Sequence, residues 1–136
     1  MQQININNNQ FSDLLNLLNG VFFPLTNFVS KKEFLEIVNF KKCNKKFFPL
    51  PIFFGVNKKQ YQKIKNEEKL YLKYKNRKIM TISNINFYDL DKIAICQKIY
   101  GKNFKRHPYY KKFDVENYRF MNFTFDKKNY KSISIY

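Results

Sequence analysis

The sequence predicts an α+β fold, in which a strongly curved mixed sheet or β-barrel is flanked by three to four short helices. Short stretches with apolar residues at helical spacing, each bounded by capping residues, alternate with stretches in which apolar and polar residues alternate. The 136 residues are 44% hydrophobic, which is enough for one modest core, so we expect residues 1–136 to form a single domain. Closing the strands into a barrel would protect their apolar edges.

The first helix is predicted between a polar N-terminus and a glycine. Ile4 and Ile6 alternate with asparagines, which indicates either a short edge strand or a frayed end. Ser12 is a favourable N-cap, and Asp13 would lie in the first turn, where the helix dipole favours negative charge. Gly20 should end this helix, because glycine lacks the Cβ that clashes in the left-handed conformation.

The segment after this helix is expected to form a rigid, mostly buried corner over residues 17–29. Pro24 fixes its own φ and disfavours the helical conformation at Phe23, which predicts an extended run. Asn27 is one of the few non-glycine residues that tolerate a left-handed turn.

Two further helices and a strand are predicted next. Ser30 and Glu33 form a capping box at the start of a helix that should end near Asn39. Residues 47–56 predict a buried strand entered through two prolines. Residues 58–67 then supply a short helix.

The second half of the sequence predicts a hairpin, a helix and further strands. Residues 70–74 and 78–82 alternate as strands around a turn at 75–77, and the pattern continues through Ile85 and Phe87 into a further strand. Asp89 or Asp91 should cap the next helix, and Gly101 should follow it. The inward face of that helix is predicted to consist of Ile93, Cys96, Gln97 and Tyr100. From Tyr118 onward we expect one strand, a turn at 126–129 and a last strand over 130–136.

The net charge of +16 raises the question of nucleic-acid binding. Only three of the 26 basic residues are arginine, and the lysines accompany Asn, Ile, Phe and Tyr, which also have A/T-rich codons, so genome composition is a competing explanation. Nucleic-acid binding is therefore possible but not favoured. The candidate anion-binding residues are Lys41, Lys42, Lys45, Lys46, Arg106 and His107; a solvated loop is the alternative.

The sequence offers little material for catalysis. His107 is the only histidine, and no phosphate-binding glycine motif, paired carboxylates or metal-ligand spacing is present. Cys43 and Cys96 lack CxxC spacing, so we expect reduced thiols and no zinc site. We therefore predict no catalytic residues, no metal and no cofactor. The polar N-terminus does not have the features of a secretion signal, and no apolar run is long enough to span a membrane, so we expect a cytoplasmic protein.

Four ordered segments carry a family resemblance. Residues 19–28, Asn-Gly-Val-Phe-Phe-Pro-Leu-Thr-Asn-Phe, resemble the "NGxFxPLTGF" signature of the N-terminal PUA-like domain of ATP sulfurylase (sulfate adenylyltransferase), with Asn27 in place of glycine. Residues 47–56 are similar to its "WPIPIVLDV" segment, residues 87–101 to its "D.Y.PDK..EA..VYGT" element, and His107-Pro108 to its "HPGV". The matching residues, to which the resemblance assigns structural roles, are Asn19, Gly20, Phe22, Pro24, Leu25, Thr26, Phe28, Pro51, Asp91, Lys92, His107 and Pro108.

The resemblance implies a PUA-like fold without the family's catalytic machinery. The "QxRN" and "HxxH" motifs of the family's catalytic domain do not occur in this sequence. The resemblance therefore implies a noncatalytic binding or scaffolding module linked to sulfate activation. An RNA-binding module and one part of a split sulfate adenylyltransferase remain alternatives. Its partner would be a separate sulfurylase catalytic domain or a second copy of the chain, and an exposed apolar patch is the expected sign of docking.

Overall fold

A curved, mixed five-stranded sheet forms a half-barrel that is flanked by helices, so the predicted α+β fold class is confirmed. The computed structural model describes residues 1–43, 46–47, 50–103 and 110–125. Within them the helices number five, against the three to four expected. The helices are α1 (Asn8–Leu18), α2 (Lys31–Phe40), α3 (Lys58–Ile64), α4 (Lys92–Tyr100) and α5 (Tyr110–Glu116). The strands are β1 (Gln3–Asn5), β2 (Lys42–Cys43), β3 (Lys46–Phe47), β4 (Phe54–Val56), β5 (Lys69–Tyr74), β6 (Arg77–Tyr88) and β7 (Arg119–Phe125).

The strand order in the large sheet is β1-β5-β6-β7-β4. Strand β1 lies parallel to β5, and every other pair in this sheet is antiparallel. The short pair β2–β3 forms a separate antiparallel ladder. Of the two expectations for the N-terminus, the edge strand is therefore the correct one.

Helix α1 begins earlier than the sequence predicted. Its N-cap is Asn7, whose side chain accepts a hydrogen bond from the Gln10 amide while the Gln10 side chain accepts one from the Asn7 amide. Ser12 therefore lies inside the helix, and its assignment as the N-cap was wrong. The added turn is stabilised because Phe11 is buried and stacks on Tyr74, with ring centroids 4.0 Å apart.

The corner after α1 is more exposed and more tightly turned than predicted. Gly20 adopts φ +73°, the left-handed value expected after a helix. The chain then turns instead of running extended, since the Phe23 amide donates to the Gly20 carbonyl and the Leu25 amide to the Phe22 carbonyl. The Phe23–Pro24 peptide is cis. Asn27 does not adopt a left-handed conformation.

The middle of the chain follows the prediction in part. The Ser30–Glu33 capping box of α2 is present. The continuous strand expected over residues 47–56 was wrong: among the described residues of this stretch, Phe47 belongs to the short β2–β3 ladder, only Phe54–Val56 pairs in the main sheet, and Leu50 is exposed. Pro51 lacks the amide hydrogen that a strand ladder needs, which is consistent with the late start of the paired strand.

The predicted hairpin is confirmed as β5 and β6, joined by a two-residue turn. Lys75 and Asn76 both have positive φ, at 48° and 65°, as a type I′ turn requires. Strand β6 then continues to Tyr88 as one element, with a bulge near Asn84, where φ is 53°.

Helix α4 is capped by Asp91, whose carboxylate accepts a hydrogen bond from the Ala94 amide, and Gly101 ends it. Its predicted inward face was largely wrong. Ile93, Gln97 and Tyr100 are exposed, whereas Ile95 and Cys96 are buried. The helix is apolar on most of its circumference, so spacing alone could not select the face that packs. Helix α5 was not predicted, and the last predicted strand, residues 130–136, lies outside the described residues.

The core lies between the concave side of the sheet and helices α1 to α4. It is rich in phenylalanine, and Phe28, Phe54 and Phe123 contact one another with centroids 5.2 to 5.6 Å apart. Its largest fully buried side chains are Phe28, Phe34, Phe54, Phe120, Leu14, Leu17, Ile37, Ile64, Leu70, Leu72, Ile79 and Ile82. Within the described residues, none of the helices has the length and apolar character needed to cross a bilayer.

Candidate functional site

A polar cleft of about 570 Å³ lies between the first half of α1, the β4–α3 connection and α5. We call it the amide cleft, because seven of its sixteen lining residues are Asn or Gln. These amides are Asn5, Asn7, Asn9, Gln10, Asn57, Gln60 and Asn117, and the other lining residues include Asp13, Ser12, Tyr100, Lys112 and Glu116. The amide cleft therefore presents both hydrogen-bond donors and hydrogen-bond acceptors.

Two of these amides close the floor of the cleft over Gly55. The Gln10 side chain donates to the Gly55 carbonyl at 3.0 Å. The Asn117 side chain lies so close that a Cβ on Gly55 would come within 1.6 Å of its Oδ1. Asn117 is buried and donates to the Phe113 carbonyl at 2.8 Å, so it has little room to move. Residue 55 must therefore be glycine, because the Asn117 side chain occupies the space that a Cβ would need.

Asp91 and Lys92, at the start of α4, do not line the cleft, but Lys92 contacts the end of α5 that does. Asp91 caps α4, and the Lys92 ammonium lies 3.1 Å from the carbonyl of Asn117 and 3.1 Å from the carboxylate of Asp114. A cation at the C-terminal end of a helix is favourable, because the last carbonyls carry partial negative charge. Lys92 therefore ties α5 to α4 and positions Asn117.

Asp13 is the carboxyl group of α1 that lines this cleft. Burial raises the pKa of Asp13 from 3.8 to about 6, since the charged form loses hydration there. The group therefore changes charge in a range close to physiological pH.

The two cysteines are held in their neutral thiol forms. Burial raises the pKa of Cys43, with a further contribution from Glu33 and Glu36, and burial together with Asp114 raises the pKa of Cys96. Both thiols are free and buried, which agrees with the expected reduced cysteines. Such thiols are poor nucleophiles, because the thiolate is the reactive form.

The predicted anion-binding residues are only partly placed. Lys41 is exposed at the end of α2, where its backbone adopts the left-handed conformation, and Lys42 is exposed in β2. Lys46 lies in β3 opposite Cys43, and nothing is described of its side chain. Lys45, Arg106 and His107 lie outside the described residues, as does Pro108. The site over these lysines stays a prediction.

The signature corner, residues 19–28, divides into buried anchors and an exposed apolar edge. Leu25 and Phe28 are buried, and Phe22 packs partly against the core. Val21 is 63% exposed and Phe23 is 68% exposed. Asn19 caps α1, Thr26 is exposed, and Pro24 and Pro51 are half-buried.

This geometry supports recognition by hydrogen bonds and apolar contact. Among the described residues, no three His, Cys, Asp or Glu side chains are grouped so that they could hold a metal ion. Sequence reasoning missed Gln10, Asp13 and Asn117 as cleft residues. The Asn7–Gln10 spacing, which follows the capping-box rule, was the signal that could have found the first of them.

Comparisons with known proteins agree with this architecture. A family model described as a PUA-like domain matches residues 1–121. Over 82% of the present chain, the sequence is 31% identical to a sulfate adenylyltransferase of Entamoeba histolytica. Over 79% of the chain, it is 29% identical to that of Schizosaccharomyces pombe. It is 26% identical to that of Staphylothermus marinus, also over 79%.

These matches occupy only part of the relatives. The matched segments make up 28%, 23% and 28% of the three sulfate adenylyltransferases, so the chain spans about a quarter of the length of the curated relatives it matches. The half-barrel, the signature corner and the match over residues 1–121 lead to one conclusion: the chain belongs to the PUA-like domain family and resembles a segment of sulfate adenylyltransferases.

Proposed function

We propose that this chain is a noncatalytic PUA-like module of sulfate activation, which binds a sulfate adenylyltransferase catalytic domain in the same or another polypeptide. The observation that carries the proposal is the coverage: most of this chain matches about a quarter of each relative. The "QxRN" and "HxxH" motifs do not occur in its sequence. What remains for this segment is binding and positioning.

The exposed edge of the signature corner is the proposed docking surface. Val21 and Phe23 expose about two thirds of their surface, whereas Leu25 and Phe28 in the same segment are buried anchors. Burying two such side chains at an interface would contribute about 1.5–3 kcal/mol each, at about 25 cal/mol per Å² of apolar surface. A rigid corner that presents apolar side chains suits a lasting interface.

A binding titration with matched variants tests this proposal. The partner is the part of the Schizosaccharomyces pombe enzyme that lies outside the matched segment. We expect saturable binding of the full 136-residue chain, with an affinity that falls at least about tenfold in Val21→Ser/Phe23→Ser, the loss of about 1.4 kcal/mol. The control is Phe40→Ser/Val115→Ser, which removes a Phe 70% exposed and a Val 69% exposed elsewhere.

The outcomes separate the alternatives. Equal losses in the corner and control variants would contradict docking through the corner. Pyrophosphate release from ATP and sulfate that appears only in the mixture would favour the split enzyme over a scaffold. Absence of binding to this partner at any concentration tested would contradict the proposal.

A further inference from the structure

The β5–β6 hairpin concentrates positive charge without any compensating acid. Five of the ten residues from 69 to 78 are basic, and no acidic residue occurs between residues 69 and 88. The acidic pair Glu67 and Glu68 precedes the hairpin at the end away from its turn. The ion pairs found among the described residues all lie elsewhere, on Lys92, Lys112 and Arg119. An even spread of lysine from genome composition does not explain this concentration.

Strand register places Lys69, Lys73 and Lys78 on the face of the sheet opposite the core, whereas Arg77 lies opposite Tyr74 and shares its face. Leu70 and Leu72 are buried, so Tyr71 and Lys73 point the other way. Three strands then form two rows across this face: Gln3, Tyr71 and Thr81 in one, and Asn5, Lys73 and Lys78 in the next. We call residues 69–83 with β1 the cationic hairpin face.

Two features of this face cost stability in the free protein. Lys73 lies directly opposite Lys78, and like charges at opposed positions of a strand pair are destabilising. Lys75 occupies a type I′ turn position at φ 48°, where asparagine or glycine is preferred. Retaining lysine at both places is consistent with a requirement for positive charge at this end of the hairpin.

Aromatic rings accompany the cations. The Lys78 ammonium lies 4.1 Å from the centroid of the half-buried Tyr71 ring, and the Lys75 ammonium lies 5.3 Å from that of Tyr74. Tyr74 is engaged by Phe11 on the core side, so Tyr71 is the ring that belongs to the outer face. Lysines for phosphates and a ring for base stacking are the two elements of sequence-tolerant recognition of single strands.

We propose that the cationic hairpin face binds single-stranded nucleic acid, with Lys69, Lys73, Lys75 and Lys78 contacting phosphates and Tyr71 stacking on a base. An anionic membrane fits less well, because the hairpin exposes no large apolar side chain that could insert between lipids. This surface differs from the signature corner, so the inference stands independently of the proposed function.

Fluorescence anisotropy with a labelled oligouridylate of about 20 nucleotides tests the proposal. For the intact chain, log K against log salt between about 50 and 200 mM should fall with a slope of about −3, as four phosphate contacts on a single strand predict. The variant Lys73→Gln/Lys75→Gln/Lys78→Gln should make the slope shallower by about 2, to about −1. Its affinity at the lowest salt should fall at least tenfold. Tyr71→Leu should weaken binding about fivefold or more at an unchanged slope.

A charge-matched control decides whether the site is local. Lys31→Gln/Lys32→Gln/Lys41→Gln removes three exposed lysines of α2 and its C-cap, including one from the loop proposed from sequence. We expect this control to keep most of the affinity, and circular dichroism should show that all variants are folded. Equal weakening by both triple variants would overturn the proposal, as would no binding at the lowest salt, or binding to phosphatidylserine vesicles without binding to RNA. The Val21→Ser/Phe23→Ser variant should bind RNA normally, which keeps this test separate from docking.

Discussion

The signature corner and the cationic hairpin face differ in charge and in the apolar side chains that they expose. The corner contains no charged residue and exposes Val21 and Phe23, whereas the hairpin exposes lysines and arginine and no large apolar side chain. Both follow directly from local backbone geometry, one at Gly20 and the other at a type I′ turn. The two proposals therefore assign the two surfaces to different partners, an apolar protein surface and a polyanion.

The largest expected effect distinguishes the anchor of the corner from its exposed edge. Phe28→Ala should lower the free energy of unfolding by about 3–5 kcal/mol, because it leaves a cavity beside Phe54 and Phe123. Phe23→Ala should cost less than about 1 kcal/mol, since most of the ring is exposed. Urea denaturation measures both. Similar losses in the two variants would mean that the corner is not divided into anchor and edge.

A change of pH should act on α1, the helix that leads into the corner. The folded-state pKa of Asp13, about 6, lies above the reference value of 3.8, so its contribution to stability is full below about pH 4 and is lost as the pH rises through 6. Asp13→Asn should therefore be more stable than the natural chain by about 1–2 kcal/mol at pH 7, allowing for partial exposure, and nearly equal at pH 4. The measurement is urea denaturation at both pH values, with Glu116→Gln in the same cleft as the control. A constant difference between pH 4 and 7 would contradict the assignment.

The left-handed residues of the two regions should respond in opposite directions. Gly20→Ala should destabilise by about 1–2 kcal/mol through its positive φ alone, because a Cβ there would meet no atom within 4 Å. Lys75→Gly should instead be neutral or stabilising by up to about 1 kcal/mol, as it relieves the strained turn position. Thermal unfolding followed by circular dichroism compares the two. If Lys75→Gly lowers Tm as Gly20→Ala does, the hairpin turn is not strained.

The smallest expected effect concerns the opposed lysines. Lys73→Glu replaces a repulsive cross-strand pair with an attractive one to Lys78 and should stabilise the chain by about 0.5 kcal/mol at low salt. The gain should shrink at high salt, because exposed charges are screened. Urea denaturation at two salt concentrations detects it, and a loss of stability at low salt would contradict the repulsion.

Much of the fold followed from local sequence rules, and the exceptions have specific physical causes. The Ser30 capping box, the turn at Lys75 and Asn76 and the glycine after α1 each depend on a few neighbouring residues. The start of α1 was missed because asparagine and glutamine satisfy the same capping geometry less conspicuously than serine and glutamate. The buried face of α4 depends on which apolar side meets the core, which spacing cannot decide.

The candidate sites depended more heavily on tertiary structure. The amide cleft joins Gln10, Gly55 and Asn117, which are far apart in the sequence, and no local motif connects them. The cationic hairpin face likewise needs the register that sets Lys73 against Lys78. The capping pattern left Asp89 and Asp91 open, and the structure selects Asp91; the family resemblance marked Lys92, whose role in holding α5 appears only in the assembled fold.

Pyrophosphate release by the purified 136-residue chain, supplied with ATP, Mg²⁺ and sulfate, tests the central claim of a noncatalytic module most directly. The account predicts no release above that of a blank without sulfate. Sulfate-dependent release by this chain alone would contradict it.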